Sequence, residues 1–285
     1  MFSRGIKRWV KIFKRRVAWQ IKAARARRAG LDRRGEKTVV FVTGVQRSGT
    51  NMLMQALERN AAIDVYHEGD RRAFKNYQMK PETIIRSLMA KSPFPIVAVK
   101  ALLEGHKVDA LLETFSPARA IWMFRHYDDV INSSLKNWPG WRNKIEEVMA
   151  DREKGDWRGL GMTDATGHLV SSLYRPDLDD ASVNGLFWLY RNQLYFDQKF
   201  DNDPRVLLMS YEWLVQNVEP ACHAVCSFAN VGYDSAMGTG VRSSSIRKNA
   251  PLPIDPDIRA QCEAMYDRLT AVWLESGIEA GSGLS

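Results

Sequence analysis

The sequence predicts an α/β fold: a single domain with a central parallel sheet flanked by helices. From Thr38 onward, short apolar runs typical of strands alternate with segments of helical periodicity, and this alternation favours a parallel sheet wrapped by helices. The length of 285 residues suits one large α/β domain. The composition, 45% hydrophobic and 26% charged, excludes a disordered chain, a collagen-like repeat and a disulfide scaffold.

Each element is predicted from its own pattern of apolar residues. The strands are expected at Thr38–Thr43, Pro95–Lys100, Arg119–Phe124 and Val206–Ser210. The helices, where Pro81, Pro220 and Pro256 suit a first helical position, are expected at Thr50–Arg59, Pro81–Lys91, Gly105–Thr114, Asp128–Lys136, Ser182–Phe200, Pro220–Ala229 and Pro256–Ser276. Residues 137–180 and 231–255 show no clear period and are predicted as long loops, which in a compact domain are usually functional or disordered.

The formal net charge of +8 is unevenly distributed along the chain. Residues 1–36 contain 13 Lys and Arg against 2 acidic residues, whereas the rest has 28 against 31. A basic arm over residues 1–36 therefore precedes a nearly neutral domain over residues 37–285. The three cysteines favour reduced thiols and a cytoplasmic setting. No run approaches the ~18 apolar residues of a membrane span, and the charged start does not fit a signal peptide.

The basic arm has the pattern of an amphipathic helix. At ~100° per residue, one stripe collects apolar side chains while Lys and Arg occupy the remaining surface. The stripe consists of Phe2, Ile6, Trp9, Val10, Phe13, Val17 and Ile21, and Ile12 and Trp19 lie near the polar side. This pattern predicts contact with an anionic membrane surface through residues 1–25. The alternatives are docking of the stripe on the main domain and, least favoured because no RNA-binding signature follows, binding of nucleic acid.

A strand, a turn bounded by glycines and a helix follow one another from Thr38, and together they predict an anion site. Backbone N–H groups of the turn and the helix N-terminus converge on one point in such an arrangement. The spacing of Gly44 and Gly49 matches the start of the phosphate loop G-x-x-x-x-G-K-[ST]. Thr50 and Asn51 replace its lysine and its magnesium-binding hydroxyl, and Arg47 supplies the positive charge instead. We predict phosphate binding without a metal by Gln46, Arg47, Ser48, Gly49, Thr50 and Asn51.

A second candidate anion site follows the strand predicted at Arg119–Phe124. Arg125 comes directly after this strand, and Ser133 lies eight positions later on the next predicted helix. An arginine can hold a phosphate through two charge-assisted hydrogen bonds, and a serine hydroxyl can donate a further one. An arginine at the end of a strand is by itself more often a solvated charge. The combination with the upstream glycine turn therefore makes the prediction specific.

These motifs resemble those of the sulfotransferases that use 3′-phosphoadenosine 5′-phosphosulfate (PAPS). Arg47-Ser48-Gly49-Thr50 is similar to their 5′-phosphosulfate loop, in the form found in tyrosylprotein sulfotransferases and in many bacterial carbohydrate or lipid sulfotransferases. Arg125 and Ser133 have the spacing of their 3′-phosphate motif. The resemblance extends over about residues 38–250. It implies a phosphate-loop fold related to the nucleoside kinases, with PAPS as co-substrate and no required metal.

The resemblance also implies catalytic residues. Glu68, in Tyr66-His67-Glu68-Gly69, lies where the tyrosylprotein-type enzymes have their catalytic glutamate. His67 is the rival base, because histidine titrates nearer neutral pH without help. Lys100 ends a predicted strand, and in the same relatives a lysine there lies on the leaving-group side. Lys100 and Arg47 are therefore expected to stabilise the leaving phosphate.

Two weaker similarities extend the expected nucleotide site. Tyr211 begins the segment Tyr211-Glu212-Trp213-Leu214, which resembles one whose tyrosine borders the nucleotide. Ser245, Arg247 and Lys248 belong to a basic loop similar to the segment that closes over the 3′-phosphate. A basic loop with no ligand is the alternative for these three residues.

The resemblance implies transfer of the sulfuryl group from PAPS to an acceptor hydroxyl, with adenosine 3′,5′-bisphosphate as the product. The basic arm adds the expectation of a glycolipid, saccharide or other membrane-associated acceptor at the inner face of a membrane. A small soluble metabolite and a tyrosyl peptide stay open as acceptors. The alternatives from other classes are a phosphate-loop kinase that uses ATP and a non-catalytic adaptor for membrane or nucleic acid.

Overall fold

A five-stranded parallel sheet forms the centre of the molecule, as the alternating pattern predicted. The structure is a computed structural model that describes residues 17–31, 37–138, 140–152, 156–242 and 246–277. The strands are β1 (Thr38–Gly44), β2 (Ile63–Tyr66), β3 (Phe74–Lys75), β4 (Gln78–Met79), β5 (Ile96–Lys100), β6 (Ala118–Phe124) and β7 (Val206–Ser210). The sheet order is β2-β5-β1-β6-β7, and every pair in it is parallel. Strands β3 and β4 form a separate antiparallel hairpin.

Helices flank this sheet. Helix α1 covers residues 17–28. The others are α2 (Thr50–Arg59), α3 (Glu82–Lys91), α4 (Val108–Thr114), α5 (Tyr127–Asn137), α6 (Trp141–Ala150), α7 (Asp164–Leu173), α8 (Asp180–Asp197), α9 (Tyr211–Gln216), α10 (Val218–Phe228) and α11 (Pro256–Glu275). In the described part of the chain, no helix is long and apolar enough to cross a bilayer.

Burial explains the composition of the central elements. Strands β1, β5 and β6 are buried over almost their whole length, so they are continuous apolar runs rather than alternating ones. Helix α8 is also buried on nearly all sides, because α5, α6, α7 and α11 pack around it. Such a helix needs apolar residues all round rather than one stripe. Polar residues inside it, such as Arg191, are therefore unusual and need partners.

The sequence predicted the long central elements well and the peripheral ones poorly. Strand β2 was not predicted, because it is a four-residue edge strand with Asp64 inside it. The prediction of a long loop over residues 137–180 is wrong, because this segment contains α6 and α7. Each of these helices has few buried apolar side chains. Their burial comes from packing on α8, which a single-sequence pattern does not reveal.

Two further expectations differ in detail. Pro256 is at the first position of α11, whereas Pro81 precedes α3 and Pro220 is the third residue of α10. The predicted amphipathic helix is described from residue 17 onward. Its residues Phe2, Ile6, Trp9, Val10, Ile12 and Phe13 lie outside the described part.

Candidate active site

Five of the site residues predicted from the sequence meet at one edge of the sheet, where the parallel strands end. Arg47 follows β1, Glu68 follows β2, Lys100 ends β5, Arg125 follows β6 and Tyr211 follows β7. Because all five strands run in the same direction, their carboxyl ends share this edge, where ligands of open α/β sheets bind. All five residues line a single cavity of about 800 Å³. The parallel direction of the strands and their order in the sheet thus bring together residues that are distant in sequence.

The turn between β1 and α2 has the shape required to present backbone N–H groups. Gly44 and Gly49 both have positive φ, at 128° and 95°. A Cβ on Gly44 would lie 2.2 Å from the Met123 carbonyl oxygen, and one on Gly49 would lie 2.2 Å from the Tyr211 ring. Neither position accepts a side chain, so both glycines are needed for the turn. Gly49 directly precedes α2, whose N-terminus therefore opens into the cavity.

Other residues of this turn differ in what they offer to a ligand. Gln46 is 4% exposed, and neither its amide nitrogen nor its amide oxygen has a hydrogen-bond partner among the residues that the structure describes. Buried polar groups normally have partners, so these atoms in the cavity lining fit a polar ligand. Thr50 is also buried and lines the cavity. Ser48 is directed elsewhere, because its hydroxyl donates to the Val45 carbonyl at 2.6 Å.

The two predicted anion motifs are in direct contact. The Arg125 guanidinium donates to the Arg47 carbonyl at 3.3 Å, and the Arg47 Nε donates to Ser133 Oγ at 2.8 Å. Burial lowers the pKa of Arg47, and the positive charge of Arg125 lowers it further. Two guanidinium groups beside a glycine turn form a concentrated positive field. One doubly phosphorylated ligand can therefore contact both motifs.

Four side chains contact Arg125 or the backbone next to it. Its guanidinium lies 4.3 Å from the centre of the Tyr211 ring and 3.3 Å from an Asp129 carboxylate oxygen. The Trp188 indole N–H donates to the Arg125 carbonyl at 3.1 Å. Glu212 accepts from the next backbone N–H, that of His126, at 3.0 Å. Tyr211 and Asp129 orient the guanidinium, and Trp188 and Glu212 fix the backbone that carries it. An arginine oriented in this way loses less entropy when a ligand binds.

Lys100, Glu68 and Asn51 form a second polar group in the cavity. The Lys100 ammonium donates to the Glu68 carboxylate and, at 2.9 Å, to the Asn51 side-chain oxygen. Lys100 is 2% exposed, and burial lowers its pKa while Glu68 partly raises it again. The arrangement places a cation and a carboxylate in contact beside the N-terminus of α2. Such a pair is suited to acid–base work next to a bound anion.

His67 is placed differently from its neighbour Glu68. Its ring Nε2 lies 3.3 Å from a carboxylate oxygen of Glu58, near the end of α2. Glu68 is among the residues that line the cavity, whereas His67 is not among them. The geometry therefore supports Glu68 rather than His67 as the acid–base candidate.

An aromatic wall completes the cavity, and sequence reasoning did not assign it. Its rings belong to Trp138, Trp141 and Trp157, with Tyr77 at the tip of the β3–β4 hairpin. Trp138 stacks on Trp141 with ring centres 4.8 Å apart, and the Arg47 guanidinium lies 5.4 Å from the Trp138 ring. The richness of residues 137–180 in tryptophan was the available signal. Apolar walls with few polar groups are typical of small-molecule sites.

A buried arginine supports this wall from behind. Arg191 on α8 is 1% exposed, and its guanidinium donates to the Trp157 carbonyl at 3.2 Å. Burial lowers the pKa of Arg191 to about 10. A buried charge is costly unless it makes compensating contacts. Arg191 thus links the core helix to the segment that carries Trp157.

The basic loop is only partly placed by the structure. The backbone N–H of Arg247 donates to Asp129 at 3.0 Å, which puts the loop beside the Arg125–Asp129 pair. The side chains of Arg247 and Lys248 are exposed and do not line the cavity. Ser245 lies outside the described residues. Within the described ranges, no group of three or more His, Cys, Asp or Glu side chains is placed to hold a metal ion.

Comparison with known proteins identifies the family. A profile of the sulfotransferase domain matches residues 37–248, a stretch that contains all the cavity residues named above. The chain belongs to the sulfotransferase domain family. A search of curated proteins gives no match for this sulfotransferase.

Solved structures show the same fold. The chain is similar to the sulfotransferase domain from the curacin biosynthetic pathway, with a TM-score of 0.53 and 14% identity over 82% of this chain and 98% of that one. It is also similar to the sulfotransferase domain of the olefin synthase from Synechococcus PCC 7002, with a TM-score of 0.51 and 14% identity over 81% of this chain and 95% of that one. At this identity the likeness concerns the fold of this sulfotransferase.

Proposed function

We propose that this sulfotransferase moves the sulfuryl group of PAPS to an acceptor hydroxyl. The observation that carries the proposal is the contact between Arg125 and the carbonyl of Arg47. It brings a predicted 3′-phosphate arginine and a predicted 5′-phosphosulfate loop into one cavity. The lost lysine and hydroxyl of the phosphate loop argue against a kinase that uses ATP and magnesium.

The residues at hand fit the bisphosphorylated end groups of such a nucleotide. The turn from Gly44 to Gly49 and the N-terminus of α2 would hold the 5′ end. The Gln46 amide, which has no partner within the described part of the chain, is available to it. Arg125 and Ser133 would hold the 3′-phosphate through charge-assisted hydrogen bonds. The Tyr211 ring lies against the Arg125 guanidinium on one side and beside Gly49 of the turn on the other.

The catalytic roles follow from the second polar group. PAPS, when bound, supplies the transferable sulfuryl group. The Glu68 carboxylate would accept the proton of the acceptor hydroxyl. The Lys100 ammonium donates to Glu68 and Asn51 in the structure. Together with Arg47, it would stabilise negative charge on the leaving phosphate. The low exposure of Lys100 strengthens this electrostatic effect, because little water screens it.

The aromatic wall supports a ring-shaped acceptor. The indoles of Trp138, Trp141 and Trp157 offer flat apolar surfaces to the apolar face of a sugar ring. Together with the basic arm, this favours a glycolipid or a lipid-linked saccharide as the acceptor. A soluble metabolite and a tyrosyl peptide are the competing acceptors.

Calorimetry tests the donor half of the proposal. Adenosine 3′,5′-bisphosphate should bind with a stoichiometry of one, and ATP with magnesium should bind far more weakly. Tight binding of ATP–magnesium together with indifference to the bisphosphate would overturn the assignment.

Labelling tests the acceptor half. The protein is incubated with sulfur-labelled PAPS and with membrane and soluble fractions of a cell extract, and the Glu68→Gln protein serves as the control. Label should enter a glycolipid in the membrane fraction with the wild-type protein only. Label in a soluble metabolite or a peptide instead would keep the donor assignment and replace the acceptor.

A further inference from the structure

Helix α1 docks on the main domain through one face. The Trp19 indole N–H donates to Asp64 on β2 at 2.7 Å, and the Trp19 ring meets Phe94 edge-on with centres 6.2 Å apart. Lys22 donates to the backbone carbonyl of Glu58, near the end of α2, at 3.0 Å. It also donates to the backbone carbonyl of Ile63. Ala23 is fully buried beneath this face. The contacts are specific hydrogen bonds and ring packing, which fix the rotation of α1 about its own axis.

The docking face is the opposite of the one that the apolar stripe suggested. Val17 and Ile21, the two stripe residues within the described part, are 37% and 51% exposed. Trp19, which breaks the stripe in the sequence pattern, is the docked aromatic residue. At ~100° per residue, Val17 and Ile21 lie roughly opposite Trp19 and Ala23. Docking of the stripe on the main domain is therefore wrong for this part of the helix.

The outward face combines apolar and basic residues. Arg25 and Arg28 are exposed and, at ~100° per residue, lie on the same face as Val17 and Ile21. The whole arm carries 13 Lys and Arg in residues 1–36 against 2 acidic residues. A partner that covers this face must accept apolar side chains and supply negative charge at the same time. An anionic bilayer does both, since its headgroups attract arginine and its interface accepts isoleucine and valine.

We propose that the outward face of α1, with Val17, Ile21, Arg25 and Arg28, is the surface by which this protein binds an anionic bilayer. The inward face, through Trp19 and Lys22, fixes the main domain to that surface. The proposal stands independently of the proposed reaction, because none of these residues lines the catalytic cavity.

Vesicle flotation of the full-length protein tests the proposal. The vesicles contain phosphatidylcholine and phosphatidylglycerol in a ratio of about seven to three, with pure phosphatidylcholine for comparison. The test variant is Val17→Glu/Ile21→Glu. The matched control is Ile84→Glu/Leu274→Glu, which makes the same charge change at two residues that are 41% and 49% exposed elsewhere.

The test variant should lose at least ~10-fold in its partition onto the anionic vesicles, because it loses apolar insertion and gains repulsion from the headgroups. The control variant should float like the wild type. Salt at 0.5 M should weaken the binding of the wild type and of the control variant to the vesicles. Equal flotation of test and control variants would overturn the proposal.

Two alternative partners of the outward face, a second copy of the chain and nucleic acid, would give different results. Light scattering that shows a wild-type dimer and a monomeric test variant would assign the face to a second copy of the chain. Tight binding of a short duplex DNA without flotation would assign the arm to nucleic acid. Either result overturns the bilayer proposal. An unchanged midpoint of denaturant unfolding shows that the test variant is folded, whether or not the chain binds adenosine 3′,5′-bisphosphate.

Discussion

Glu68 and His67 are neighbours in the sequence, but their side chains have different partners. Glu68 accepts from Lys100 inside the cavity, whereas His67 pairs with Glu58 beside α2. Because adjacent residues after a strand point in different directions, Glu68 lines the cavity and His67 does not. Side-chain direction therefore favours Glu68 as the proposed base.

Glu68→Gln should slow sulfuryl transfer by ~10²–10⁴-fold, because the amide no longer accepts a proton. Binding of adenosine 3′,5′-bisphosphate should be nearly unchanged, since Glu68 is not assigned to the nucleotide. The measurement is single-turnover transfer from labelled PAPS, with His67→Gln as the matched neighbour. A large loss in His67→Gln and a small one in Glu68→Gln would move the base role to His67.

Arg125→Ala should weaken binding of adenosine 3′,5′-bisphosphate by about 1.5–3 kcal/mol, the usual contribution of a hydrogen bond to a charged group. The affinity of Arg125→Lys should lie between those of Arg125→Ala and the wild type, because an ammonium cannot form the two parallel hydrogen bonds of a guanidinium. Calorimetry measures the affinity of each variant. Arg119→Ala is the control, because Arg119 lies at the other end of β6 and donates to the Phe228 carbonyl. Equal affinities for Arg125→Ala and the wild type would refute the 3′-phosphate assignment.

At the scale of single elements, the contact between α1 and the main domain includes Lys22, whose charged form is destabilised by burial. Burial lowers the pKa of Lys22 from 10.5 to about 8, although Asp64 and Glu58 oppose the change. Between these two pH values the unfolded chain binds more protons than the folded chain. The free energy of unfolding therefore rises with pH in this window, and the full cost of burying the charge applies below pH 8.

This linkage predicts that hydrogen exchange in α1, corrected for the intrinsic rate, slows as the pH rises from about 8 to about 10. Lys22→Met should remove most of the dependence, because methionine has no charge to desolvate. A profile that keeps the same slope in Lys22→Met would assign the effect to another group.

Elements also differ in how well the sequence pattern predicted them. Strands β1, β5, β6 and β7 were predicted within about one residue, because strands buried on both faces are continuous apolar runs. Helix α6 was missed, since only Ile145 and Val148 are buried along its length. The aromatic wall that α6 helps to form was missed with it.

At the scale of the whole molecule, the cavity exists only when all five strands are in register. A ligand that contacts residues from β1, β2, β5 and β6 therefore binds the folded chain alone. Adenosine 3′,5′-bisphosphate at 100 times its dissociation constant should raise the free energy of unfolding by ~2.7 kcal/mol. Denaturant titration with and without the ligand measures this change, and ATP–magnesium is the control. The absence of any ligand-dependent stabilisation would contradict a site built across the sheet.

The sequence by itself determined the parallel α/β fold, the glycine turn and the two anion motifs, because these depend on local spacing and on continuous apolar runs. Only the tertiary structure decided that Lys100 contacts Glu68, that His67 turns to Glu58 and that Arg47 donates to Ser133. It also decided that Trp19 rather than Ile21 faces the main domain. Periodicity shows which residues share a face of a helix or strand. What that face contacts depends on how distant segments pack.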